Sequence, residues 1–213
     1  MNKVLFIFAL FMAIAISLEA QVGFKIGLNF ANMMSKDDDD HYDEDFKTLA
    51  GLHIGPTFDI PLGEKLAVQT GLLWSRKGYQ VIDKDDDYTF VASLNYIDLP
   101  LMLAYKHAFS EKLTLYAGTG AYIGVGVLGK YKWDYDGDKE EEDIEWGNTN
   151  SDDVQRLDLG WETNVGVQYQ QVRFNLGYLL GVKNIYAGDK DDGETVKNKC
   201  FQMSVSYMLP SKK

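Results

Sequence analysis

The stretch Val172–Val182, VRFNLGYLLGV, alternates with a period of two. Val172, Phe174, Leu176, Tyr178, Leu180 and Val182 are large and apolar. Between them stand Arg173, Asn175, Gly177, Leu179 and Gly181, and Lys183 follows. A period of two belongs to an extended strand, whose successive side chains leave opposite faces. A strand that is apolar on one side and charged or small on the other divides two unlike surroundings. Which surroundings receive which face decides the fold.

The same period recurs along the chain. Val22, Phe24, Ile26, Leu28 and Phe30 alternate with Gly23, Lys25, Gly27 and Asn29. Leu52, Ile54, Pro56, Phe58 and Ile60 alternate with Gly51, His53, Gly55, Thr57 and Asp59. Leu113, Leu115, Ala117, Ala121, Ile123, Val125 and Val127 share one face of a long glycine-rich segment. Leu157, Leu159, Trp161, Val165, Val167 and Tyr169 alternate with Asp158, Gly160, Glu162, Asn164, Gly166 and Gln168. Phe201, Met203, Val205, Tyr207 and Leu209 form the last set. Two segments are less regular. Over 66–82 the apolar parity of Leu66, Val68, Leu72 and Trp74 weakens near SRKGYQ. Over 88–106 the apolar parity switches around Tyr96–Ile97. A two-sided strand cannot change parity without an extra residue, so a bulge is predicted there. Pro100, which lacks a ladder donor, stands close by. The reading gives eight strands, at 22–33, 48–61, 65–82, 88–106, 112–131, 154–169, 171–186 and 196–209.

The connections are of two kinds. Of 32 acidic residues, 25 fall in the windows Asp37–Asp45, Asp83–Asp87, Asp134–Asp153 and Asp189–Glu194. Such runs are ordinarily solvated loops. Tight turns are expected near Leu62–Glu64, Ser110–Glu111 and Gln170–Gln171. In an up-and-down meander alternate connections emerge at opposite ends. The acidic windows therefore share one end and the tight turns the other.

The N-terminus reads as a targeting segment: Lys3, the apolar run Val4–Ile16, and a cleavage site after Ala20. The run has 13 residues, short of the roughly 20 needed by a spanning helix. The organisation expected is a signal peptide over 1–20 and one β-barrel domain over 21–213. The single cysteine, Cys200, excludes an internal disulfide framework.

Eight antiparallel strands close into a barrel without edges. A soluble lipocalin-like ligand carrier has an apolar inside; a membrane barrel reverses the faces. Three features favour the membrane barrel. The minor face combines glycines with charges of both signs, which suits the narrow interior of eight strands. The apolar face is nearly uncharged along the centre of each strand, where Arg or Lys facing lipid costs about 2–4 kcal/mol. Long loops at one end and tight turns at the other match the two ends of outer-membrane barrels. Trp74, Tyr105, Trp161, Tyr169, Tyr186 and Tyr207 are candidates for interfacial girdles. The expected class is all-β, an eight-stranded antiparallel up-and-down transmembrane β-barrel of the bacterial outer membrane.

Four segments carry a resemblance to a known family: GFKIGLNFAN after the signal, GLHIGPTFDIPLGEKLAVQTGLLWSRKGYQ, LNYIDLPLMLAYK and LYAGTGAYIGVGV. They resemble the PorT-like outer-membrane β-barrel family of Gram-negative bacteria, and NYIDLPL is the most distinctive piece. The resemblance covers most of the chain beyond the signal. It implies an eight-stranded membrane barrel and no single activity, since some relatives assist secretion machinery. It supplies no catalytic motif. One departure is the end of the chain: classical barrels often close on a C-terminal aromatic residue, whereas Tyr207 is followed by MLPSKK.

The candidate chemistry is sparse. Lys25, Asp59, Arg156, Asp158, Glu162, Arg173 and Lys183 are expected to form a polar network inside the barrel. Asp158 and Glu162 share one strand face, but a packed small barrel leaves little room for a substrate, and no Ser/His/Asp arrangement is present. His41, His53 and His107 are scattered without metal-ligand spacing. The acidic windows offer hard oxygen ligands for Ca²⁺ or for ions bridging lipopolysaccharide, yet DYDGDKEEED fails the Ca²⁺-loop pattern at its glycine. Cys200 falls on the minor face, packed rather than reactive. The chain lacks a basic patch for nucleic acid. The sequence thus leads to a monomeric, non-enzymatic protein without cofactor or metal. The partners expected are outer-membrane lipid and lipopolysaccharide, and an envelope protein contacted through the acidic loops. A narrow porin-like channel or transporter, and a soluble lipocalin-like carrier, remain the alternatives.

Overall fold

In the computed structural model the described residues are 20–36, 46–83, 86–149, 151–188 and 194–210. The signal segment over 1–19, the acidic window 37–45 and most of the window 189–194 lie outside them. The strands are β1 (Gln21–Lys36), β2 (Lys47–Pro61), β3 (Leu66–Gly71), β4 (Leu73–Asp83), β5 (Tyr88–Ala108), β6 (Leu113–Tyr135), β7 (Asp138–Asp143), β8 (Leu157–Tyr169), β9 (Val172–Gly181) and β10 (Thr195–Met208).

All pairings among these strands are antiparallel, and β1 pairs with β10 to close the ring. The ring has eight members, because β3 and β4 are two halves of one strand. Both pair with β2 on one side and β5 on the other. Leu72 separates them. Its amide donates to the Pro56 carbonyl (3.0 Å), and Pro56 has no N–H to return, so the ladder is interrupted for one residue.

The faces are unambiguous. Phe174 and Leu176 are 54% and 46% exposed, whereas Arg173, next to Phe174 on the same strand, is 3% exposed. Phe24, Ile26, Leu28, Leu101, Leu103, Val165, Met203 and Val205 are likewise exposed. The apolar sides point out and the charged and small sides point in. A soluble carrier with an apolar interior is excluded by this arrangement. No helix among the described residues is long and apolar enough to cross a membrane; the crossing elements are strands. Tyr105, Tyr169 and Tyr207 are exposed beside the tight-turn end, where an aromatic belt belongs. Tyr186 instead packs within the opposite end.

Three expectations are corrected. Strand β5 keeps one inward parity throughout, from Ala92 and Leu94 through Tyr96, Asp98 and Met102 to Ala104. The irregular residue sits in the neighbouring strand: Asn95 faces Leu128 and Tyr96 faces Gly126, leaving Val127 extra on β6. The apparent parity switch has another cause, an apolar filling of the barrel's outer end. The second correction is β7, in a region expected to be loop. Asp136 and Gly137 both take positive φ (51° and 89°), the two-residue turn favoured by an Asp-Gly pair. The turn closes a hairpin in which Lys132 faces Glu141 and Lys130 faces Asp143. Opposite charges across the strands replace the apolar pairing that a sequence reading seeks. The third is length: β8 starts at Leu157 and β9 ends at Gly181, and Val154 and Ile185 beyond these ends pack inward with Ile144 over the mouth.

Candidate functional site

The interior is built in layers along the axis. Nearest the tight turns, Arg173 of β9 grips Asp59 of β2: Nη1 donates to Oδ1 (3.1 Å) and Nη2 to Oδ2 (2.6 Å). Lys106 of β5 reaches the same carboxylate at 3.4 Å. The guanidinium also donates to Gln168 Oε1 through Nε (3.1 Å) and Nη2 (2.9 Å), and lies 4.1 Å from the Tyr116 ring centre. Nearest the acidic end, Lys77 of β4 donates to Asp98 Oδ1 (3.0 Å) and Asp158 Oδ2 (3.1 Å). Tyr122 and Asn198 also donate to Asp158, and the rings of Tyr96 and Tyr122 flank the ammonium at 4.8 and 4.5 Å.

The middle layer is polar and mostly neutral. Asn29 donates to Ser75 Oγ (3.0 Å) and to the Arg76 carbonyl (2.9 Å), and accepts from Gln202 Nε2 (3.0 Å). His53 Nδ1 lies 2.7 Å from Asn29 Oδ1, which places the proton on Nδ1. Lys25 and Glu162 are buried here but form no ion pair within 4.0 Å among the described residues. In all, Lys25, Lys77, Lys106 and Arg173 balance Asp59, Asp98, Asp158 and Glu162. A buried charge is tolerated only when compensated, and the sum here is zero.

Of the residues expected inside, Lys25, Asp59, Asp158, Glu162 and Arg173 are buried there. Two are not part of the layers. Arg156 is exposed and donates weakly to the Gly126 carbonyl (3.4 Å). Lys183 lies past the end of β9, half-buried, with its ammonium on the Gln155 side chain. Lys77, Asp98 and Lys106 went unrecognised. The parity of Leu72 and Trp74 already turns Lys77 inward, and Asp98 is the single acid between Ile97 and Leu99. Cys200 is buried beside Ala31, Tyr122 and Leu179. The described residues contain no cluster of metal-ligating groups.

Above the Lys77 layer the lumen is closed by side chains. Met33, Leu94, Tyr96, Ile144, Val154 and Ile185 form an apolar cluster, with Trp146 and Tyr131 packed against it. Ile144, Val154 and Ile185 come from the segments that fold inward. The Trp146 ring meets Tyr96 edge-on (5.5 Å, 83°). Gly126 makes this possible, since a Cβ there would lie 2.2 Å from the indole. At the same end β6 and β7 form a hairpin. Lys130 donates to Glu141 at 2.9 Å, and Lys132 also pairs with Glu141. Those hydrogen bonds, from Lys132 first and then Lys130, hold the Glu141 carboxyl down to about 2. Asp152 is lowered by the hydroxyl and amide of Thr149.

The closed eight-stranded ring, its lipid-facing apolar exterior and its neutralised polar interior define a transmembrane β-barrel. A family model described as outer membrane protein beta-barrel domain matches residues 13–187. The chain belongs to that family and resides in the bacterial outer membrane. None of the curated proteins matches it. Among solved structures it is similar to Ail, the attachment invasion locus protein of Yersinia pestis, crystallised with the heparin analogue sucrose octasulfate. The identity is 15%, over 89% of this chain and 99% of that chain, with a TM-score of 0.42. It is similar to Neisserial surface protein A (12% identity, 90% and 97% coverage, TM-score 0.40). It is also similar to OprG from Pseudomonas aeruginosa (12% identity, 89% and 94% coverage, TM-score 0.42).

Proposed function

We propose that this protein is a closed, non-enzymatic barrel with a structural or interaction role, belonging to the PorT-like branch of its family. Its working surface is the acidic outer end. It contacts lipopolysaccharide there, directly or through divalent cations, or a protein of the cell envelope. The observation that carries the reading is the filled axis: two ionic layers are topped by an apolar cluster of buried side chains. Asp158 is held by Lys77, Tyr122 and Asn198, which argues against its use as a catalytic acid with Glu162. Reconstitution in planar lipid bilayers tests the closed state. The expected result is a bilayer without unitary current steps; steady conductance at low voltage overturns it. A narrow channel is the second reading. It is favoured by the middle layer, where Lys25 and Glu162 are buried without direct pairing, and the same recording decides between the two. Crosslinking from the outer loops in intact cells identifies the partner.

A further inference from the structure

A cavity of about 310 Å³ lies in the outer mouth, over the apolar cluster. Its walls include Leu94 and Ile185, and the rings of Tyr79 and Tyr131 also line it. These rings belong to an aromatic ladder across β4, β5 and β6: Phe90 stands 5.8 Å from Tyr79 and 5.7 Å from Tyr131. Among the described residues the charged members of the lining are Asp152, Asp153 and Glu194. Asp152 is engaged by Thr149. Asp153 uses one oxygen, Oδ2, to accept from the Glu145 amide (2.8 Å). Glu194 has no ion pair among the described residues. The mouth of a barrel is a common place for a small-molecule site, and this volume is at the lower end of such sites.

We infer that this cavity is a binding site for a small organic cation, an ammonium group carried on a short apolar or aromatic stem. The stem fills the apolar floor between Leu94 and Ile185. The ammonium sits towards Asp153 and Glu194, beside aromatic faces whose quadrupoles attract cations. An anion is repelled by the same carboxylates, and a neutral apolar guest leaves them unpaired. The site is separate from the ionic layers of the axis, so its occupancy does not depend on whether the barrel conducts.

Titration calorimetry of the full-length barrel in detergent, with benzyltrimethylammonium as probe, tests this. Saturable binding is expected, with benzyl alcohol binding at least tenfold more weakly. The isosteric pair Asp153→Asn and Glu194→Gln is expected to weaken the cation at least tenfold, and Ala92→Phe, which fills the cavity, to abolish its binding. Heat-modifiable gel mobility reports whether Ala92→Phe is folded; if it is not, the isosteric pair carries the test. Absence of saturable heat, equal affinity for benzyl alcohol, or unchanged affinity in the isosteric variant overturns the proposal.

Discussion

Arg173 and Asp59 lie 114 residues apart in sequence and meet in a two-pronged ion pair inside the barrel, at 3.1 and 2.6 Å. Strands β9 and β2 are separated by β10 and β1 in the ring, so the pair spans the lumen rather than joining neighbours. It fastens one wall to another where no backbone ladder does.

Breaking that pair leaves a charge buried and unmatched. Asp59→Asn is expected to destabilise the barrel by about 3–5 kcal/mol, the usual cost of removing one partner of a buried pair. Asp59→Leu combined with Arg173→Met is expected to recover most of the loss. Urea unfolding in lipid vesicles, followed by gel mobility, measures both.

The outward face is tested at Leu176, mid-way along β9. Leu176→Arg is expected to cost about 2–4 kcal/mol in vesicles, as a cation placed towards the bilayer centre does. A stability unchanged in vesicles would contradict the lipid-facing assignment.

The β6–β7 hairpin depends on acid in a predictable direction. Glu141 is depressed from its ordinary 4.5 to about 2 by Lys132 and Lys130. A depressed carboxyl contributes stability that is fully present above its unfolded value and lost as pH falls through its folded value. Pairing is therefore expected to hold at neutral pH, to weaken below about pH 4.5 and to be lost near pH 2. Amide hydrogen exchange at Lys132 and Glu141 follows it. Glu141→Gln is expected to remove the acid transition, and added salt to weaken the wild-type hairpin, since exposed pairs are screened.

The seat of Trp146 on Gly126 offers a probe of the outer closure. Gly126→Ala puts a methyl group 2.2 Å from the ring, so the indole must move. Greater acrylamide quenching is expected in the variant. Introducing Trp146→Phe into both proteins is expected to abolish the difference.

Much of this architecture was legible beforehand because a strand's two faces are written directly into alternate residues. VRFNLGYLLGV announced its apolar outside, and Asp59, Asp158, Glu162 and Arg173 fell on the inward parity. The misread parity of β5 has one origin. Phe90, Leu94 and Tyr96 are apolar yet share the inward parity, since the mouth is packed with the apolar side chains of Ile144, Trp146, Val154 and Ile185. One parity rule assumes one interior, whereas this barrel has a polar interior along its crossing and an apolar one at its outer end. The hairpin to β7 was signalled by Asp136–Gly137, a turn pair that acidic neighbours masked.

By itself the sequence determined the strands, their sidedness and the two unlike ends, because those depend on local periodicity and turn chemistry. Only the tertiary structure decided which charges meet. Partners such as Lys77 with Asp158 sit on strands that are not neighbours in the chain, and the closure, tilt and register of the whole ring bring them to one level. The apolar closure over them likewise required distant segments to fold back, a long-range packing choice that no local pattern encodes.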